Sequence, residues 1–374
     1  MAEPTLSPRA LGRTLLVRQH LVERTDWSVE AMVTHLVGLQ AQEPRDPYLA
    51  LWSRLRRFEP TDLEQLLLDH EAVRIVLMRG TIHLVMADDA FGLRPLVFPV
   101  LEKELARHSQ FAPLLREVDL GPVLAHARTF LAEPRSTKQL RQELGRRFPD
   151  LDPAALAYAC RNHLALVQVP PRGLWTRSAQ VTYATAEAWL PGRPPPALTL
   201  DEAVLRYLRA FGPATAADIA AWSRLTGLRE VVDRLRPELR TYRDASRREL
   251  LDVVGGAIAD EDLEVPVRFL PEYDNVLLAH ADRSRVLNRA LLAGLYADGE
   301  IGNGSVLVDG IVQATWHHDP RRTPQVVVTH QPKLSRRDRA AVEAEAHRAI
   351  TYLAPGGADA EIALRPAENA GGPE

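Results

Sequence analysis

Apolar positions recur at helical spacing over residues 8–23, PRALGRTLLVRQHLVE, and predict an amphipathic helix. Ser28, followed by Val-Glu-Ala-Met-Val, is placed to cap a second helix, and Thr61 and Glu64 are spaced as a capping box for a third. The stretch Val73-Arg-Ile-Val-Leu-Met-Arg-Gly-Thr-Ile-His-Leu-Val85 is β-branched and broken at Gly80, which predicts a hairpin. Helices followed by such a hairpin have the order of a winged helix-turn-helix.

The order repeats. Ser136 and Asp152-Pro153 open two further helices, and a second wing runs from Leu166 through the turn Pro170–Gly173 to Tyr183. A third copy has a helix at Asp201–Phe211, then Thr215-Ala-Ala-Asp-Ile-Ala-Ala-Trp-Ser223, a helix from Gly227, and a polar hairpin at Tyr242–Val253. The small residues after Gly212-Pro213 suit the tight crossing of two helices. Pro191–Pro196 reads as a stiff linker. Beyond Pro266 the pattern changes to short strands, with Asp309-Gly310 as a hairpin turn, Gln325–Thr329 as another strand and a closing helix at Ser335–Tyr352. The predicted class is α+β: winged-helix units at 1–132, 133–190 and 199–264, the linker at 191–198, a β-domain at 265–352 and an unstructured tail at 353–374.

Composition narrows the class. The 374 residues are 46% hydrophobic and 25% charged, values of an ordinary globular protein large enough for several domains. The apolar runs are too short for a membrane span, and the N-terminus lacks a signal-peptide core, so a soluble, cytoplasmic protein is expected. A lone cysteine, Cys160, forbids an internal disulfide and any multi-cysteine metal site. The net charge of −3 hides two basic stretches: residues 133–180 carry eight Lys/Arg against four Asp/Glu, and 320–340 carry six against one. Such patches suit a phosphate backbone. Lysine occurs only at 103, 138 and 333.

Tandem winged helices usually bind DNA without altering it, so a transcriptional regulator is one reading. A repressor, however, normally pairs one such unit per subunit across half-sites, whereas three units and a β-domain in one chain suit a single body on one duplex region. The second reading comes from Gly38-Leu-Gln40-Ala-Gln42-Glu-Pro-Arg45-Asp46-Pro-Tyr48, where an apolar helix runs into two glutamines and then two prolines. Set in the irregular helix end, Gln40 and Gln42 can converge and hold a water by its hydrogens. Neither amide is a base, so the chemistry must be one whose leaving group is already activated. The alternative is that both amides only cap backbone groups.

Three segments carry a family resemblance: Gly38-Leu-Gln-Ala-Gln42, Met78-Arg-Gly-Thr-Ile-His-Leu-Val85, and Leu270-Pro-Glu-Tyr-Asp-Asn-Val-Leu-Leu-Ala-His-Ala-Asp-Arg283. Together, and in this order across roughly residues 8–352, they resemble the AlkZ-like winged-helix DNA glycosylases, bacterial enzymes that excise N7-alkylated purines and unhook interstrand crosslinks. The resemblance implies a C-shaped tandem of three winged helices joined to a β-barrel-like domain. It also implies a Gln-apolar-Gln catalytic motif at Gln40, Ala41 and Gln42. One branch of the family has Asp at the second polar position; this chain has Gln42, which places it nearer the antibiotic-resistance branch.

On that resemblance the expected activity is hydrolysis of the N-glycosidic bond in double-stranded DNA carrying N7-alkylated purines, as repair or as self-resistance to a DNA-alkylating natural product. The expected protein is a monomer in the bacterial cytoplasm, nucleoid-associated when bound to DNA, with no cofactor and no metal. Gln42 is expected to position the water and Gln40 to support it, with electrostatic help from Glu43 or Asp46. A Schiff-base lyase step needs an amine, and the three lysines lie outside the motifs. Arg45, Arg79, Thr81, His83, Arg172, Asn275, Arg283, His317, Arg321 and Arg322 are the candidate DNA contacts, with a buried structural role the alternative for His83. Tyr273 and Asp274 read as structural. Adjacent His317 and His318 project apart on a strand, which favours a basic hairpin over a metal site. Besides the regulator, a drug-sequestering protein remains as a third reading.

Overall fold

The fold is described from a computed structural model, over residues 3–175, 177, 179–193, 198–288, 304–319, 325–330, 334–354 and 361–366. The strands are β1 (Thr5–Leu6), β2 (Leu39–Gln40), β3 (Ala72–Val76), β4 (Ile82–Met86), β5 (Arg135–Ser136), β6 (Leu166–Gln168), β7 (Thr182–Thr185), β8 (Leu239–Asp244), β9 (Glu249–Val253), β10 (Arg268–Leu270), β11 (Gly304–Val308), β12 (Ile311–Asp319), β13 (Gln325–His330) and β14 (Glu361–Pro366). Among the described residues no helix is long and apolar enough to cross a membrane.

Polar residues start the helices where their oxygens can accept orphan N–H groups. Ser28 caps Val29–His35, Ser136 and Gln139 form a capping box for Thr137–Arg147, Asp152 caps Pro153–His163, and Thr215 with Asp218 boxes Ala216–Ser223. The box expected at Thr61 and Glu64 is displaced. Pro60 takes the first helical position of Pro60–Leu68, and the Asp62 carboxylate accepts the Glu59 N–H at 2.9 Å. Glu64 is thereby freed to accept the Trp175 N–H at 2.7 Å.

Antiparallel pairs β3–β4, β6–β7 and β8–β9 follow successive helical runs. The first two are not separate wings. Arg74 and Ile75 pair with Gln168 and Val167, so both hairpins merge into a six-stranded sheet of order β2-β4-β3-β6-β7-β5 that crosses the expected boundary at 132. Among the described residues the C-terminal sheet has the order β10-β11-β12-β13-β14, with β10 and β14 at its edges and the helix Arg336–Leu353 covering it, and no closure into the expected barrel is seen. Its β11–β12 turn is the expected one: Asp309 and Gly310 both have positive φ, as a two-residue turn of this twist requires. β14 extends order into the predicted tail. Pro194–Pro196 of the predicted linker lie outside the described residues.

Buried ion pairs join these parts. Arg54 forms a two-pronged pair with Asp274, 2.8 Å on each side and both side chains fully buried, and a third bond at 3.2 Å to Gln19 Oε1. Gln19 in turn donates to the Ala210 carbonyl at 2.7 Å. Arg18 makes a second two-pronged pair with Asp252, both bonds 2.7 Å. The Arg54 network links the helix Asp46–Arg54, the end of Pro8–Arg18, the helix Leu200–Phe211 and the segment that follows β10 of the C-terminal sheet.

Removing one partner of such a pair leaves a buried uncompensated charge. Arg54→Met is expected to cost about 3–5 kcal/mol in urea unfolding. The double variant with Asp274→Leu is expected to cost less than Arg54→Met alone; a double variant that is the worse of the two would show that the pair contributes net stability.

Candidate active site

The chain enters the site through a forced turn. After Val29–His35, Val37 (φ 54°) and Gly38 (φ 90°) reverse it into β2. A Cβ at Gly38 would lie 2.6 Å from Val85 Cγ1, so only glycine fits against β4. Asn275 fastens this turn, donating from Nδ2 to the Gly38 carbonyl at 2.8 Å.

Gln40 then pairs with His83 across β2 and β4, and the Ala41 N–H reaches the Ile82 carbonyl at 2.8 Å. Alternation on this extended backbone puts Leu39 and Ala41 into the core and sets Gln40 and Gln42 on the other face. The glutamines therefore occupy a strand and its extension, not the irregular end of a helix. Gln40 is 6% exposed, whereas Gln42 is exposed. Each is held by its amide oxygen. Arg79 Nη2 donates to Gln40 Oε1 at 2.7 Å, and the Ile82 N–H donates to Gln42 Oε1 at 3.1 Å. Each oxygen keeps a second lone pair, and neither NH₂ group has a partner among the described residues.

Arg79 has a left-handed backbone (φ 60°), unusual for a non-glycine residue and costly by roughly 1 kcal/mol. The conformation turns its guanidinium inward, where Nη1 also donates to the Trp222 carbonyl at 2.7 Å. Burial, and then the nearby Arg224 and Arg283, pull Arg79 down to about 10, which leaves it charged at neutral pH. His83 is 1% exposed, with Nδ1 3.0 Å from the Thr81 carbonyl and Nε2 3.4 Å from Arg79 Nη2. Burial first, then Arg79, lowers it to about 3, so it is a neutral ring with Nδ1–H donating.

After Gln42 in the chain, Glu43, Arg45 and Asp46 line an open cavity of about 400 Å³ together with Glu272, Tyr273 and His317 among others. Asp46 is 7% exposed and its Oδ2 has no hydrogen-bond partner. Burial, then Glu272 and Glu43, push its carboxyl up to about 8 against a hydrogen bond from the Tyr273 backbone, so it holds its proton at pH 7.

The chain matches the family described as DNA glycosylase AlkZ-like over residues 33–352. It belongs to the AlkZ-like DNA glycosylase family. The structure is similar to that of the DNA glycosylase AlkZ of Streptomyces sahachiroi, with a TM-score of 0.76 and 21% identity over 97% of this chain and 100% of that one, a likeness that shows the fold. No curated protein matches the chain in sequence.

In this AlkZ-like chain, Gln40, Gln42, Arg79, Thr81 and His83 meet around β2 and β4. Thr81 is half-buried, its hydroxyl donating to the Met78 carbonyl at 3.1 Å. His83 and Asn275 are both buried and make the internal bonds above, the buried alternative in the case of His83. His317 lines the cavity beside Asp46. Arg45 is exposed, with its guanidinium 5.3 Å from the Trp175 ring. Arg172 is half-buried, bonded at 3.0 Å to the Ala179 carbonyl, and Arg283 is exposed on a separate cleft with Arg248. Arg321 and Arg322 lie outside the described residues. Sequence reasoning missed Arg74, which is 2% exposed and donates to the Ala41 carbonyl at 2.7 Å, and Arg224, whose charge reaches Arg79. Nothing in the local sequence marks either, because each is brought to the motif by a distant segment.

The raised Asp46 carboxyl has a stability consequence. Its protonation favours the folded state fully below the ordinary value of 3.8, and that contribution is lost as pH rises toward about 8. Asp46→Asn removes the loss. The melting temperature of the variant minus that of the wild type is expected to increase by at least about 3 °C between pH 5 and pH 9. A difference independent of pH would show that Asp46 is ionised throughout.

Proposed function

We propose that this chain is a monofunctional DNA glycosylase that hydrolyses the N-glycosidic bond of N7-alkylated purines, bulky adducts and interstrand crosslinks included. In the cell it would serve repair or self-resistance to a DNA-alkylating natural product. The observation that carries the reading is the pair of carboxamides on one face, each anchored by its oxygen, where neither side chain can act as an acid or a base. Exposed Arg224 and Arg283 offer positive charge to the phosphate backbone, with Arg172 as a further phosphate contact, and Arg45 and His317 line the cavity.

Alkylation at N7 places a positive charge on the purine, so the base leaves without being protonated. The bond that breaks is C1′–N9; the electron pair leaves with the base and neutralises it, and the sugar acquires oxocarbenium character. Catalysis then needs a water on the vacant face of the sugar and negative potential around it. Gln42, exposed and aligned by the Ile82 N–H, presents a lone pair to a water hydrogen. Gln40, deeper and fixed by Arg79, supports that water or the deoxyribose. The proton lost when water bonds to C1′ passes to solvent or to a neighbouring carboxylate such as Glu43. A crosslinked base cannot be extruded freely because the other strand is attached to it, and the open cleft suits reading a lesion within the duplex.

Lys103 and Lys138 lie on the helices Ala87–Arg107 and Thr137–Arg147, outside the glutamine motif, and Lys333 lies outside the described residues. No Schiff base with the sugar is expected.

Gln42→Ala is expected to slow release of 7-methylguanine from methylated duplex DNA about 10²-fold with an unchanged melting temperature. Unchanged release would remove Gln42 from the chemistry. Borohydride added during turnover is expected to trap no protein–DNA adduct. A trapped adduct would establish an amine nucleophile and a lyase step. A chain that releases no base and instead selects one DNA sequence would be a regulator.

A further inference from the structure

The ladder between β2 and β4 lacks one bond, and the gap falls beside Gln42. With Leu39 opposite Leu84 and Gln40 opposite His83, the next residues to face each other are Ala41 and Ile82. In an antiparallel pair, a residue whose N–H crosses the ladder also accepts there with its carbonyl. Ala41 makes the first of these bonds, its N–H reaching the Ile82 carbonyl at 2.8 Å, but the return bond is absent among the described residues. The Ile82 N–H goes instead to Gln42 Oε1 at 3.1 Å, and the Ala41 carbonyl accepts from Arg74 Nη2 at 2.7 Å. Neither backbone group is orphaned, because a side chain serves each end of the missing bond.

Arg74 makes this exchange possible. It stands in β3, opposite Leu84 of β4 on one side and Gln168 of β6 on the other. Alternation puts Arg74 on the face of Leu84, Leu39 and Ala41, whereas Gln40, His83 and Gln42 occupy the opposite face. The guanidinium therefore meets the Ala41 carbonyl from the core side of the sheet. Its own position is costly. Arg74 is 2% exposed, and its Nε and Nη1 have no partner among the described residues. Burial first, and then Arg172, draw it down to about 10, so it is a cation at neutral pH. The connection between β6 and β7 makes room for it, since a Cβ at Gly173 would lie 2.8 Å from Arg74 Cδ. A buried charge without a counter-ion destabilises a fold, and an apolar side chain would fill the same place at less cost.

Resting on the glycosylase reading above, we infer that Arg74 is a positioning residue for that reaction: by drawing the Ala41 carbonyl out of the ladder, it keeps the Ile82 N–H free to aim Gln42. Without the guanidinium the ladder closes by one bond, from the Ile82 N–H to the Ala41 carbonyl. Gln42 Oε1 then loses its donor, and an amide so released turns about its last torsion at little cost. The loss falls on the orientation of one side chain and leaves the DNA-facing residues in place.

The test is a double-variant cycle read by single-turnover release of 7-methylguanine from methylated duplex DNA. Arg74→Met is expected to lower the maximal rate about tenfold and to leave the half-saturating concentration within about twofold, as for a group that serves the chemical step alone. In a Gln42→Ala background the same substitution is expected to change the rate by less than about twofold, since a group that acts through Gln42 then has nothing to aim. Arg74→Gln, polar but too short to reach Ala41, is carried through the same cycle so that the outcome does not depend on the folding of one variant. Equal slowing in both backgrounds, a loss confined to the half-saturating concentration, or wild-type rates in the Arg74 variants would overturn the inference, while slow release by Gln42→Ala leaves the glycosylase reading standing. Failure of both Arg74 variants to fold would make the residue a structural one and overturn the inference as well. Wild-type release by Gln42→Ala would remove the role of Gln42, and the inference with it.

Discussion

The buried pair between Arg54 and Asp274 governs where the glutamine motif sits. Arg54 ends the helix that Asp46 begins, and Asp274 lies next to Asn275, which holds the Gly38 carbonyl. The same ionic contact therefore fixes both ends of the segment 38–54: the turn before β2 and the helix after the cavity. Through Gln19 it reaches Ala210 as well, so the position of the C-terminal sheet against the helices is set by groups that water does not reach. A hydrophobic contact of the same area would tolerate sliding. A two-pronged guanidinium–carboxylate contact does not, because displacement by an ångström loses both bonds and leaves two charges in the core.

Around the motif, direction is conferred by donors rather than by packing. An amide can rotate by half a turn about its last torsion with almost no change in shape. Arg79 removes that freedom at Gln40, since only the oxygen can accept from a guanidinium, and the Ile82 N–H does the same at Gln42. Arg79 is itself held in a left-handed conformation by bonds to Gln40 and Trp222, so the strain there is spent on aiming one side chain. His83, neutral and buried behind it, contributes an acceptor and not an acid.

Much of this was legible in the residues. Ser28, Ser136, Asp152 and Thr215 announce helix starts because their oxygens serve N–H groups two or three positions on, and Asp309-Gly310 announces a hairpin because few other pairs accept two positive φ values. What escaped were features decided at long range. The helix Ala87–Arg107 carries Pro95 and Pro99, which obscure its periodicity, and the merging of β3 with β6 depends on a pairing across about ninety residues. Asn275 is a candidate contact by its place in the family-like segment; the approach of the turn at Gly38 is what engages its amide inside. Arg74 and Arg224 reach the motif from the third strand and from the end of Ala216–Ser223, and neither position has a local signature.

The neutrality of the glutamines and the acidity of their surroundings are one constraint. A carboxylate at position 42 could also accept the Ile82 N–H, so the backbone bond alone does not demand an amide. But Glu43, Asp46 and Glu272 share the cavity that follows in the chain, where burial first, and then Glu272 and Glu43, keep the proton on Asp46. A carboxylate at 42 would add a further like charge beside Glu43 in the chain and would titrate with pH. An amide oxygen remains an acceptor at every pH and adds no charge to the cluster. The residue type at 42 is thus tied to the carboxylates beside it as closely as to the water it is proposed to steer.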